Sequence, residues 1–398
     1  MVSNARRDAL AFGGPCLAAF IATLTVSVLT LGGASATLPA TSPATSPAIS
    51  PATSPATSPA TSPATSPVTP VDTGAVVATK AVAPVAAPDR LDTKTACVYA
   101  RHDVKAMERF GTQVGRLFTC ALVYNNAAPG WKDWAKPWFV VHGDPNFNWS
   151  KWTTAKPGRT LIISQSLIPK AAPRNWRQRG AAGEYDAYIR ALGAALVDAG
   201  LGKSVMRLAF EANGGWMIDT LGTTKNDRDA WRTYWRRFVT VMRSVPGAKF
   251  EFDWTVNAGY QALDLDSYYP GDDVVDIVGV DAYDSSVHHD TYPSSQQRWI
   301  RIAGQPGGLL EVLAFAKQHN KPLSIPEWGL AAPGAPMYGA GDNPRYIDGI
   351  AEIVRTNRVR YHSYFLSPTG GIRMTFDNAT KSRAAYRKHF GDTGDSVR

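Results

Sequence analysis

Two glutamates stand where an apolar run ends. One lies in Val205-Met206-Arg207-Leu208-Ala209-Phe210-Glu211-Ala212-Asn213-Gly214-Gly215-Trp216, the other in Leu323-Ser324-Ile325-Pro326-Glu327-Trp328-Gly329. In each segment the apolar stretch reads as a strand, and the glutamate sits at its C-terminal edge beside aromatic and glycine residues. Strand alternation predicts Arg207, Ala209 and Glu211 on one face, with Asn213, Gly214 and Trp216 in the loop beyond. A carboxyl beneath an indole is desolvated, which raises its pKa and suits a proton donor at neutral pH. The plainer reading makes Glu211 the ion-pair partner of Arg207 in the protein interior. A core strand has no packing reason to end in Pro-Glu-Trp-Gly, so Glu327 reads as a functional carboxylate. Two such glutamates are what glycosidic bond cleavage requires: one protonates the leaving oxygen while the other attacks or activates water, depending on their separation.

The elements that hold these residues follow from the pattern after residue 95, where short apolar, β-branched runs alternate with amphipathic ones. Strands are predicted near Cys97–Arg101, Arg116–Tyr124, Thr160–Ser164, Val205–Phe210, Phe250–Val256, Val275–Val280, Leu323–Pro326 and Tyr361–Phe365. Helices are predicted over Tyr185–Ala199, Arg228–Arg243, Gly308–His319 and Pro344–Thr356, with a last one near Lys381–Phe390. Eight strands with interleaved helices in this length predict an α/β fold of the (β/α)8 TIM-barrel type, whose function resides where strands end and their following loops begin. A doubly wound open sheet is the alternative, but the glycine-rich phosphate loop that often accompanies one is missing.

The segment from Arg207 to Trp216, together with Pro326-Glu327-Trp328-Gly329, resembles glycoside hydrolase family 26, the β-mannanase family within the clan of retaining barrel glycosidases. The resemblance covers roughly 160 to 390 and is specific at strands four, six and seven. It implies Glu211 as acid/base, Glu327 as nucleophile, Arg207 as the strand-four arginine, and Asn213 and Trp216 as neighbours in the sugar subsites. Trp254-Thr255-Val256-Asn257 is similar to the family's strand-five Trp-x-x-Asn motif. Val278-Gly279-Val280-Asp281-Ala282-Tyr283-Asp284 is similar to its strand-six ending, whose tyrosine, here Tyr283, bonds the nucleophile. Trp216, Trp254 and Trp328 are expected to shape the subsites. The chain departs from the family at Phe210, where histidine usually precedes the acid/base. It departs again after Trp216, where Met217-Ile218-Asp219 follows instead of a second tryptophan. Tyr364 and Phe365 stand nearest the tryptophan platform that commonly ends strand eight. The resemblance implies a two-glutamate double displacement on a β-mannan or related polysaccharide, with no cofactor and no metal.

The rest of the chain bears on where such an enzyme works. Arg6 and Arg7 precede an apolar stretch from about residue 9 to 31, and Ala34-Ser35-Ala36 offers a signal-peptidase pattern. Residues 1–36 are expected to be a signal peptide, or an uncleaved membrane anchor holding the chain outside the cell. Residues 37–94 carry an Ala-Thr-Ser-Pro repeat that reads as an extended linker, and 95–398 as the catalytic domain. A secreted or cell-surface monomer acting on polysaccharide is the expectation. Of three cysteines, Cys97 and Cys120 remain in the mature chain, where an oxidising compartment allows them to pair or to stay as buried thiols. The net charge of +9 is the sole sign of a nucleic-acid partner, and with 19% charged residues and no Lys/Arg block it argues for none. Trp131, Trp134, Trp138, Trp149 and Trp152 form either cleft walls or core cover. His288-His289-Asp290 reads as a solvated loop or a substrate contact rather than a metal site. The rival readings are the same barrel acting on another envelope or plant polysaccharide, and a carbohydrate-binding barrel that has lost turnover.

Overall fold

A computed structural model of the chain describes residues 96–125, 128–259, 264–285, 294–333, 338–367 and 375–392. The export segment, the repeat and His288-His289-Asp290 lie outside these residues. Eight parallel strands close into a barrel in chain order, as the alternating pattern predicts. They are β1 Ala96–Tyr99, β2 Cys120–Asn125, β3 Thr160–Gln165, β4 Val205–Leu208, β5 Glu251–Asn257, β6 Ile277–Asp284, β7 Leu323–Leu330 and β8 Val359–Phe365. The ring closes through Ala96 opposite His362 and Tyr99 opposite Phe365.

The predicted helices form, at Asp186–Asp198, Lys225–Arg243, Leu309–Gln318, Pro344–Thr356 and Thr380–Phe390. The helix Lys225–Arg243 starts on a capping box between Thr224 and Asp227 and buries Trp231, Tyr234, Trp235, Phe238 and Met242 on one stripe. Helices at Val104–Val114 and Ser295–Gly304 were not foreseen, nor were the short turns at Trp131–Trp134, Trp138–Val141, Trp149–Thr154 and Trp176–Ala181. The first of these has a legible start all the same: the Asp103 side chain accepts from the Ala106 amide at 2.7 Å.

The strands obey period two around an interior that has an apolar part and a polar part. On β5, Asp253, Thr255 and Asn257 point into the barrel, while Phe252, Trp254 and Val256 pack outward against helices. The Trp254 ring lies 5.0 to 5.7 Å from the rings of Tyr268, Tyr269 and Phe315 and is fully buried. This corrects the expectation that Trp254 shapes a sugar subsite; its indole faces the helices, on the far side of the sheet. On β7 the pairing slips by one residue, Gly279 opposing Ser324 but Ala282 opposing Trp328. This bulge places both Ser324 and Glu327, three residues apart, on the inner face. Trp328 is thereby turned outward, donating to His362 Nδ1 at 3.1 Å and stacking on Tyr386. It too is core rather than subsite, a second correction.

The lower interior is apolar and includes a Cys97–Cys120 disulfide tying β1 to β2, with Cα atoms 4.4 Å apart. Above it Asp253 accepts from Ser324 at 2.6 Å, Tyr361 at 2.6 Å and Thr255 at 2.9 Å. Gly279 faces this layer, and a Cβ there would stand 2.5 to 2.6 Å from Thr255 Oγ1, Asp253 Oδ1 and Ser324 Oγ. Of the five clustered tryptophans, Trp134, Trp149 and Trp152 are buried core. Trp131 stacks on Tyr185 and Tyr188, and Trp138 packs on His102.

Candidate active site

The chain leaves β4 by a strained turn rather than by continued alternation. Ala209 and Glu211 both have positive φ, 48° and 54°, a left-handed backbone unusual for residues with a Cβ. Their amides still reach across to neighbouring strands, Ala209 to the Gln165 carbonyl at 2.9 Å and Glu211 to the Thr255 carbonyl at 3.1 Å. The turn delivers Glu211 to the barrel mouth, where its carboxyl accepts from Trp216 Nε1 at 2.8 Å and from Asn257 Nδ2 at 2.6 Å. Asn213 holds Asn257 in place: its side chain donates to the Asn257 carbonyl at 3.0 Å and accepts from the Asn257 amide at 2.9 Å. Asn213 thus ties the loop after β4 to the end of β5.

Burial pushes the Glu211 carboxyl up to about 7, and the negative charge of Glu327 adds to the rise; the bond from Asn257 opposes it. Glu327 is the better-bonded carboxyl. It accepts from Arg207 Nη1 at 2.6 Å and Tyr124 Oη at 2.5 Å on Oε1, and from Tyr283 Oη at 2.5 Å on Oε2. Arg207, fully buried on β4, also pairs with Asp281 and donates to Ser164 and Thr255. Its ion pairs are with Asp281 and Glu327, which removes the plainer reading in which it neutralises Glu211.

Of the predicted site residues the structure gathers Glu211, Glu327, Arg207, Asn213, Trp216, Asn257 and Tyr283 at one mouth. It sends Trp254 and Trp328 into the core. Of the two platform candidates, Phe365 lies near the Tyr283 ring inside the barrel and Tyr364 is buried outside it. Sequence reasoning missed Tyr124 and Asp281. Asp281 was legible, since it shares the period-two phase of Gly279 and Tyr283. Tyr124 ends an apolar strand that gives no local sign of chemistry.

Among the described residues Glu211, Asp281 and Glu327 each offer an oxygen within 4.8 Å of the others. The cation among them is the Arg207 guanidinium, paired to two of the three.

The sequence profile described as Glycosyl hydrolase family 26 matches residues 196–305, which span β4 to the helix after β6. None of the curated proteins matches the chain in sequence. Among solved structures, a modular endo-beta-1,4-mannanase from Cellulomonas fimi superposes at a TM-score of 0.51 with 14% identity, over 72% of this chain and 67% of that one. A GH26 beta-mannanase from Bacteroides ovatus superposes at 0.51 with 14% identity, over 74% and 87%. At such identities the superpositions speak for the barrel alone; the profile match carries the resemblance to the family. The matched segment, which holds one of the two facing glutamates, is similar to glycosyl hydrolase family 26, and the match supports a glycoside hydrolase.

Proposed function

We propose that the chain is an exported, retaining glycoside hydrolase acting on β-mannan or a related β-linked glycan. Glu327 attacks the anomeric carbon while Glu211 protonates the leaving oxygen. In the second half Glu211 takes a proton from water, which attacks the same carbon and releases Glu327. The observation that carries this reading is spacing: oxygens of Glu211 and Glu327 lie within 4.8 Å. Retaining enzymes hold their carboxyls about 5 to 5.5 Å apart, whereas inverting ones leave about 6.5 to 9.5 Å for a water. The unequal surroundings agree, a desolvated carboxyl at about 7 for the acid and one that accepts three hydrogen bonds for the nucleophile. Export is supported by the leader-like residues 1–36 and by the disulfide, which belongs to oxidising compartments.

The test uses the full chain and Glu327→Ala on mannans, glucans, xylans and arabinans, reading new reducing ends and the anomer first released. Hydrolysis of β-mannan with initial β-product, lost in the variant, supports the reading; initial α-product overturns the double displacement. A second reading, another β-linked polymer, is favoured by Phe210. That ring lies edge-on to Tyr124 at 5.2 Å and under the Arg207 guanidinium at 4.7 Å, so an apolar group occupies the position before the acid/base. Release from glucan, xylan or arabinan but not mannan would select it.

A further inference from the structure

We infer that Tyr124, on β2, is a positioning residue for Glu327, and that with Arg207 it saturates Oε1 and leaves Oε2 as the attacking oxygen. The inference rests on the proposed double displacement and deepens it. A carboxylate oxygen offers about two lone-pair sites. On Oε1 both are engaged, by Tyr124 Oη at 2.5 Å and Arg207 Nη1 at 2.6 Å. On Oε2 the bond from Tyr283 Oη at 2.5 Å engages one and leaves one for the anomeric carbon. In the first step the Oε2–carbon bond forms, the glycosidic bond breaks, and its electron pair takes the Glu211 proton. Oε1 then becomes the ester carbonyl oxygen, still held by Tyr124 and Arg207. In the second step water attacks, gives its proton to Glu211, and the Oε2–carbon bond breaks.

Tyr124 is built into its place from three sides. Its amide donates to His102 Nε2 at 3.2 Å, and its carbonyl accepts from Trp138 Nε1 at 2.9 Å. Its ring meets Tyr99, His102 and Phe210 edge-on at 5.1 to 5.8 Å. His102 is itself held by Trp149, whose Nε1 donates to the His102 carbonyl at 2.9 Å. Burial, aided by Arg101, lowers His102 to about 4, so its imidazole is neutral and able to accept from that amide at working pH. Part of the tryptophan cluster thus serves the site indirectly, through the backbone on either side of one phenol. The titratable and charged groups facing Tyr124 include Glu327, Arg207, Tyr283, Tyr99 and His102.

The experiment compares the full chain with Tyr124→Phe, Tyr283→Phe and Tyr99→Phe, reading kinetics on whichever panel polymer is hydrolysed and the carboxyl-carbon NMR signal of 13C-labelled Glu327, identified by its loss in Glu327→Gln. Tyr124→Phe keeps the ring and its packing. It is expected to lower kcat about 10- to 100-fold with KM within about twofold, as loss of one bond to a charged group implies. The Glu327 signal shifts, while Tyr99→Phe leaves kcat and that signal unchanged. Parent-like kcat, or a loss with an unmoved Glu327 signal, overturns the inference. Silence of the parent on every polymer would defeat the functional reading instead, and the NMR signal then still decides whether Tyr124 bonds Glu327.

Discussion

The two carboxyls at the barrel mouth are the same residue type in opposite settings. Glu211 meets two neutral donors, Trp216 and Asn257, and is otherwise desolvated at the tip of a strained turn. Glu327 meets three donors, one of them a buried guanidinium, from strands β2, β4 and β6. One surrounding favours holding a proton and the other favours holding charge. In the proposed mechanism, acid and nucleophile are thus separated by what faces each side chain and not by the side chain itself.

Breaking the pair outright has the largest effect. Glu327→Ala is expected to abolish turnover, by about 10^4-fold or more, because no nucleophile remains; reducing-end release on the active polymer measures it. Glu211→Ala should cost about 10^2- to 10^4-fold on polymer, and less on a substrate whose leaving group needs no proton. Added azide should restore turnover to Glu211→Ala and yield a β-glycosyl azide, since retention survives; an α-azide from that variant would reverse the assignment of roles.

The comparison sharpens in the pH dependence of stability. The Glu211 carboxyl rises from its ordinary 4.5 to about 7 on folding, so the folded state binds the proton more tightly. Its contribution is fully present below about 4.5 and is lost as pH rises through about 7, a change of about 3 kcal/mol. Glu211→Gln should therefore raise Tm relative to the parent at pH 8, and the gain should vanish toward pH 4; a gain independent of pH would argue against desolvation as the cause.

The smallest expected effects separate the two carboxyls one bond at a time. Trp216→Phe removes one donor from Glu211, worth about 1 to 3 kcal/mol toward its charged form. The basic limb of the kcat profile should move upward and the acid limb stay put. Trp328→Phe, in the core, should lower Tm while leaving KM within about twofold; a changed KM would return Trp328 to the subsites.

Much of this was legible beforehand. The strand-and-helix alternation fixes the eight-stranded barrel, since parallel strands need crossover helices and eight of them close. Glu211 and Glu327 are legible because an acid at the end of an apolar strand has no packing rationale. Tyr283 and Asn257 are legible through the resemblance of their segments to the family's strand-six and strand-five motifs. The tryptophans were misread for an equally physical reason: an indole at a strand end serves a core as readily as a sugar, and only the bulge in β7 and the phase of β5 turn Trp328 and Trp254 outward. By itself the sequence determined the fold and the pair of acids, because both are written in local pattern. Tertiary structure alone decided their surroundings. The donors to Glu327 come from residues 124, 207 and 283, and the desolvation of Glu211 comes from loops that meet only when the barrel closes.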